Sequence, residues 1–303
     1  MSDADAKARA DWLERRRQYL GASDVAAVLG LSPYRGPLAV WIEKTSPVVS
    51  ETKPWMRWGH LVEDAVCTGY SEITGRTVTN PGPYELQVHP DIPWLAATLD
   101  RTTTGSEQRP APADGLGVMD AKAVGFQKAG DWEDQPPLHL QVQIAAQMAC
   151  TSRKWGTLAA LVGGMSIEVK DLAWDQAFWD AALPQLERFW DMVQKRIQPE
   201  ADALTGTTEA IKARWAKPNG LTILGDGPTQ DLADELDRAR DAATTAKDRV
   251  ELLSNQLRAK MGDAEFMAFG DGSRMASSIV NVKAHARASS SYRKLTRTWG
   301  RIR

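Results

Sequence analysis

The octapeptide GVMDAKAV, Gly117–Val124, is the stretch that most constrains what this chain can fold into. Val118, Asp120 and Lys122 alternate with Met119, Ala121 and Ala123, the two-residue period of a strand, so a carboxylate and an ammonium fall on one face. A strand with apolar flanks belongs in a core, where charges are costly unless they are paired or bind a metal. The rest of the sequence has to supply partners for Asp120 and Lys122.

The surroundings predict alternating helices and strands. Residues 1–19 read as a polar helix ending in Arg15, Arg16 and Arg17. In LGASDVAAVLG, Ser23 is expected to cap a short helix that stops at Gly30, and SPYRGPLAVWIEKTS turns at Pro33 into an apolar helix. WGHLVEDAVCTGYSEITG places Val62, Ala65, Val66 and Ile73 on one helical face, with Glu63 just off it. Strands are expected at 85–89 and 95–100, followed by a Pro-, Gly- and Thr-rich loop to Gly117. PPLHLQVQIAAQMACTS reads as a helix, WGTLAALVGGMSIEVKDL as two strands around Gly163 and Gly164, and WDQAFWDAALPQLERFWDMVQKRI as a helix interrupted at Pro184.

The pattern gives an α/β core over 1–202, a Gly/Thr/Pro-rich linker over 203–228 and a small α+β appendage over 229–303. The core is a mixed central sheet flanked by helices. The appendage opens with a charged amphipathic helix, about 230–260, whose commonest meaning is a solvated helix or helical hairpin packed on one side. Strand-like runs at 265–269 and 274–282 follow. Residues 274–303 carry eight Lys or Arg and no acidic residue, a patch suited to phosphate or to an acidic surface, although the formal net charge of the chain is only −2. Cys67 and Cys150 lie in apolar helical patterns and fit a reducing compartment without a disulfide frame. With no signal peptide and no long apolar span, the expectation is a cytoplasmic chain that does not enter a membrane. The twelve Trp are scattered and read as core or interface anchors, a minority being free to stack on bases.

Glu63 on a helix, Asp100 at a strand end, and Asp120 and Lys122 on the next strand make a set of oxygen donors with a lysine. Hard cations such as Mg²⁺ take one or two protein carboxylates plus water and substrate phosphate. His60, His89, His139 and His285 show no ligand spacing, which argues against zinc. In phosphodiester hydrolysis such an ion polarises the phosphate and lowers the pKa of a bound water, and a lysine on the same strand face can hold that water. A bare Asp-x-Lys is more often a surface ion pair, so the order and spacing of the whole set carry the reading.

A basic residue before GASD, then WGHLVED, LAATLD, MDAK and HLQVQIAAQM, in this order over about residues 16–164, resemble the phage-type alkaline exonucleases of the lambda exonuclease and YqaJ-like recombinase group, within the PD-(D/E)xK nuclease superfamily. A weaker similarity continues in AKMGDAE. The resemblance implies a restriction-endonuclease-like core. It also implies Mg²⁺ or Mn²⁺, as two ions, on Glu63, Asp100, Asp120 and the Ala121 carbonyl, with Lys122 as the lysine of the motif. Gln143 matches the glutamine of the following helix that lines the site, with Gln141 and Gln147 nearby. Arg16 and Ser23 match the pair that binds a DNA 5′-phosphate; Ser23 as a cap is compatible with that, because helix N-termini attract anions. Three departures are visible: Asp120 stands where the family usually has Glu, Leu99-Asp100-Arg101 replaces the usual Pro-Asp-Gly, and the Pro-rich loop between Asp100 and Asp120 is longer than in minimal members of the family.

The activity implied is Mg²⁺-dependent digestion of one strand of linear duplex DNA, 5′ to 3′, leaving a 3′ single-stranded tail for phage recombination by strand annealing. The implied partners are duplex DNA ends, a phage single-strand annealing protein and further copies of the chain, in relatives often a ring-shaped trimer. An endonuclease with the same metal site is one alternative. A Cas4-like exonuclease is another, but its usual four-cysteine cluster cannot be built from two cysteines. A non-catalytic DNA-end binding protein of recombination is the third, and its sequence mark would be a missing ligand.

Overall fold

The computed structural model describes residues 3–46, 54–82 and 84–277. It divides into a unit over Met1–Ala216 and a second over Lys217–Arg303.

The first unit begins with helix α1 (Asp3–Arg17), the short strand β1 (Leu20–Gly21) and helices α2 (Ala22–Val28), α3 (Pro37–Thr45) and α4 (Pro54–Thr74). Strands β2 (Val78–Thr79), β3 (Gln87–Val88), β4 (Leu95–Ala97), β5 (Arg101–Thr103) and β6 (Gly117–Val124) follow, then a 3₁₀ turn over Phe126–Trp132. Helix α5 (Leu138–Thr151), strands β7 (Trp155–Val162) and β8 (Ser166–Ala173), and helices α6 (Gln176–Gln194) and α7 (Thr205–Arg214) complete it. The main sheet has the order β2-β5-β6-β7-β8, antiparallel except for β6 and β7, which run parallel with Asp120 beside Leu158 and Lys122 beside Ala160. A parallel pair needs a long crossover, and α5 is that crossover. A smaller sheet, β1-β4-β3, pairs Gly21 with Ala96.

Alternation along β6 divides the core in two. Val118 packs with Val142, Ile144 and Met148 of α5, while Met119 packs with Val66, Cys67 and Tyr70 of α4. The even face of β6 therefore looks at α5, and Asp120 with it. Gly156 lets α5 come this close, since a Cβ there would lie 2.6 Å from Ile144 Cγ2 and 2.5 Å from Val118 Cγ2. The chain reverses between β7 and β8 at Gly163 and Gly164, at φ of 59° and 73°, a left-handed backbone that suits glycine.

Several expectations are corrected. The buried face of α4 is Val66, Cys67, Tyr70 and Thr74, whereas Ala65 and Ile73 are exposed. This turn of about one residue puts Glu63, three positions before Val66, on the buried side instead of off it. Pro184 does not interrupt α6, because buried side chains on both sides, from Trp179 and Ala182 to Leu186 and Phe189, hold the helix against a cost of about 3 kcal/mol. Strand β3 is two residues long rather than five. Within 203–228 lies α7, whose buried Thr207 accepts the Gly36 N–H at 3.2 Å and donates to Asp202 at 3.0 Å. Cys67 and Cys150 are buried free thiols, pushed up to about 11 and about 12, by burial first in each case.

The second unit holds helix α8 (Gly227–Met261) and an antiparallel pair, β9 (Phe266–Ala268) and β10 (Arg274–Ala276). The rest of the expected second strand and most of the basic tail, with His285, lie outside the described residues. No described helix is long and apolar enough to cross a membrane.

Candidate active site

Asp120 is the centre of the site, only 1% exposed. Its carboxylate accepts Gln143 Nε2 at 3.2 Å (Oδ1) and 3.4 Å (Oδ2), and Gln147 Nε2 at 3.2 Å (Oδ1). The two glutamines are four apart on α5 and so share the helix face laid over the strand. Lys122 Nζ is in ion-pair contact with Asp120 Oδ2, two residues along the same strand face. Gln141 is not part of this group, since its amide donates to the Pro136 carbonyl at 2.6 Å.

Asp100 lies immediately before β5, the strand paired with β6 in the same sheet. Its Oδ2 accepts the Ala121 N–H at 3.2 Å, and its carboxyl hydrogen-bonds Asp120. Burial, and then the Asp120 charge, push the Asp100 carboxyl well above the usual carboxylate range, against the pull of Lys122. Burial lowers the affinity of Lys122 for its proton, but Asp120 and Asp100 more than offset it and the net shift is upward. Lys122 is thus an ammonium at neutral pH, a donor and not a base. Its charge, after burial, also holds His139 below its ordinary value, so His139 at the start of α5 stands beside the site. Tyr34 meets the His139 ring edge-on at 5.3 Å.

Glu63 is close enough to act on Asp100 and Lys122 through its charge, but its Oε1 receives Arg101 Nη1 at 2.6 Å. The same guanidinium reaches Asp64 Oδ1 at 2.6 Å through Nη2. Among the described residues no three His, Cys, Asp or Glu side chains close into a metal-holding group. The donors that do meet, the Asp100 and Asp120 carboxylates, suit a hard divalent ion. Such ions accept one or two protein carboxylates and fill the remaining positions with water or phosphate oxygens. Two buried acids in hydrogen-bond contact cannot both ionise cheaply without a cation, which is the electrostatic form of the same fit. Zinc does not fit this all-oxygen set.

The second candidate cluster sits where β1 enters α2. Arg16 Nη2 donates to Ser23 Oγ at 2.6 Å, and its guanidinium lies over the Trp12 ring at 5.3 Å. Ser23 is not the cap expected from the sequence. Gly21 is the N-cap residue, and its N–H is taken by Asp24 Oδ2 at 3.1 Å, which leaves the Ser23 hydroxyl to Arg16. Asp24 is fully buried with Lys44 at 2.8 Å and with Arg35 in ion-pair contact. Burial alone would raise its pKa, but Lys44, Arg35 and Arg16 hold it well below the usual range. Gly21 pairs with Ala96, four residues before Asp100, a path of about 13 Å along extended chain. Arg16 and the carboxylates are thereby tied through β4.

Sequence reasoning missed Arg101, His139 and the Asp24–Lys44–Arg35 group. GASD does contain the signal for Asp24, since an acid at the third helical position can accept the cap N–H. Nothing in the sequence marks Arg101 as the partner of Glu63.

Residues 11–154 match the YqaJ-like viral recombinase domain, a span that includes Arg16, Ser23, Glu63, Asp100, Asp120, Lys122 and Gln143. A relative in Bacillus subtilis (strain 168), named "Uncharacterized protein YqaJ", is 24% identical over 270 residues, covering 87% of this chain and 81% of that protein. The crystal structure of an alkaline exonuclease, LHK-Exo, from Laribacter hongkongensis superposes with a TM-score of 0.51 at 21% identity, over 62% of this chain and 94% of that one. The complex of LHK-Exo with dAMP gives a TM-score of 0.50 at 20% identity, with the same coverage. The mixed α/β arrangement is that of the alkaline exonuclease fold.

Proposed function

We propose that the chain is a metal-dependent DNA exonuclease that digests one strand of linear duplex DNA from a 5′ end, leaving a 3′ single-stranded tail for recombination by strand annealing. The observation that carries this reading is the buried meeting of Asp100, Asp120 and Lys122 under the two α5 glutamines. The likeness to a viral recombinase domain, and the exonuclease and dAMP named for the structural relative, agree with it.

In this reading Asp100, Asp120 and the Ala121 carbonyl hold Mg²⁺ or Mn²⁺, with Glu63 joining once it leaves Arg101. A bound divalent ion would polarise the scissile phosphate and lower the pKa of a water. Lys122, held as an ammonium, would donate a hydrogen bond to the attacking water. Gln143 and Gln147 fix the orientation of Asp120 by donating their side-chain amides to its carboxylate. Arg16 and Ser23 bind the 5′-phosphate and set which bond reaches the carboxylates, and Asp24, Lys44 and Arg35 hold that pair in place. Phosphate contacts of this kind position a nucleic acid without reading sequence.

The test is digestion of linear duplex DNA, with and without a 5′-phosphate, in Mg²⁺ or EDTA, by the wild type and Lys122→Ala. Mononucleotide release that needs Mg²⁺, is faster with the 5′-phosphate and disappears in the variant is the expected result. The Arg101–Glu63 ion pair favours one other reading, a protein that binds DNA ends without cutting. End binding with no hydrolysis in any divalent ion would establish that instead.

A further inference from the structure

Helix α8 runs for 35 residues and buries none of them. An isolated helix in water draws little stability from propensity alone, and most helices are held by packing an apolar face. That face is present and bare: Leu232 is 67% exposed, Val250 63% and Leu253 41%. Leu232, Leu236, Ala239, Ala243, Ala246, Val250, Leu253 and Leu257 follow one another at spacings of four, three, four, three, four, three and four. This is a strict 3.5-residue period, unlike the 3.6-residue stripe of a helix lying on a globular core. On a straight helix such a row drifts by about 20° per heptad, so all eight residues stay in contact only with a helix that supercoils around α8 with the same period.

We propose that α8 pairs with α8 of a second copy of this chain as a parallel, in-register, two-stranded coiled coil. Its own row is self-complementary, small residues facing small ones in the middle and Leu facing Leu at both ends. The flanking charges choose the direction. In the parallel pair Glu235 of each copy faces Arg240 of the other, and the two further flanking pairs, Ala242 with Lys247 and Arg249 with Ser254, set no like charges together. An antiparallel pair that matches the same row puts Arg240 against Lys247 on both sides. Val250 and Leu253, a β-branched residue and a Leu at successive core positions, are the combination that favours two strands. Arg240 also rests on Asp237 of its own helix at 3.3 Å, which keeps it on the flank. This pairing does not depend on the exonuclease reading.

The test uses the full chain with Ala239→Cys, a core position of the pair, and Arg238→Cys, an outer one, under mild oxidation. The native Cys67 and Cys150 are buried and serve as a silent background. A disulfide-linked dimer of Ala239→Cys, absent for Arg238→Cys and lost when Leu236→Asp and Leu253→Asp are added, is the expected outcome. The added pair changes exposed positions, and an unchanged circular dichroism spectrum of the first unit's helices and sheet confirms folding. Failure of Ala239→Cys to link to itself, while a mixture with Val250→Cys links, would overturn the parallel arrangement. A wild-type chain that light scattering finds monomeric at every accessible concentration would overturn the pairing itself.

Discussion

Arg101 Nη1 lies 2.6 Å from Glu63 Oε1, so the helix carboxylate that the motif offers to a metal is held by the residue following Asp100. In the exonuclease reading this ion pair competes with the metal for Glu63. Replacing the guanidinium with a neutral amide, Arg101→Gln, is expected to lower the Mg²⁺ concentration for half-maximal digestion by up to about fivefold, the equivalent of the ~1 kcal/mol of a partly exposed ion pair. A titration of rate against Mg²⁺ for the two proteins reads this directly. An unchanged or higher requirement would show that Arg101 helps to assemble the site.

Asp100 and Asp120 are forced together in a dry site, and the sign of the resulting pH dependence can be worked out. Asp100 has a folded value raised above its ordinary 3.8, by burial and then by Asp120. Between those two values the folded protein holds more protons than the unfolded chain, so stability is lost as pH rises through that window. At neutral pH without divalent ions, Asp100→Asn is expected to unfold at a higher denaturant midpoint than the wild type. Mg²⁺ should raise the midpoint of the wild type and leave that of the variant nearly unmoved. Urea melts in EDTA and in Mg²⁺ measure both effects.

The legible part of this molecule is its period. Residues 117–124 read as a strand and are β6 to the residue, because a central strand buried on both faces must alternate and its register is fixed by neighbours on each side. The carboxylates and Gln143 were legible as a family order, and the structure brings Asp100, Asp120, Lys122 and Gln143 together. Glu63 was legible as a residue but not as half of an ion pair, because Arg101 is 38 positions away and only the fold joins them. β2 and β5 escaped notice since two- and three-residue strands rich in Thr have no measurable period. α7 was hidden by its Gly and Thr, which weaken helix propensity; its partners on α3 and Asp202 supply what propensity does not.

Arg16 donates to Ser23 at 2.6 Å and lies over the Trp12 ring, the pair proposed above to receive the DNA end. If it takes the 5′-phosphate, Arg16→Ala should cut the rate on phosphorylated ends by about ten- to a hundredfold, the worth of one charge-assisted hydrogen bond. Ends carrying a 5′-hydroxyl should be digested at nearly the wild-type rate. The ratio of the two rates, and not either alone, is the measurement, since a general loss of folding would depress both equally.

Asp24 is the residue whose loss should cost the fold most. Lys44 beside it has a side chain with no solvent exposure, so Asp24→Asn leaves that buried ammonium only the longer contact to Glu43, at 3.5 Å, and weakens the hold on Arg35 as well. Removing one partner of a buried pair typically costs ~3–5 kcal/mol. Because the folded value of Asp24 lies below its ordinary 3.8, its contribution is fully present above that pH and is lost as the solution becomes more acidic. The wild type should therefore lose stability below about pH 4 through this group, and Asp24→Asn should lack that part of the acid transition while being less stable at neutral pH. Adding Lys44→Met to the variant removes the stranded charge and should recover part of the loss. Denaturant midpoints at neutral and acid pH for the single and double variants decide it: no recovery would mean that the cap bond from Gly21, not the buried pair, is what Asp24 supplies.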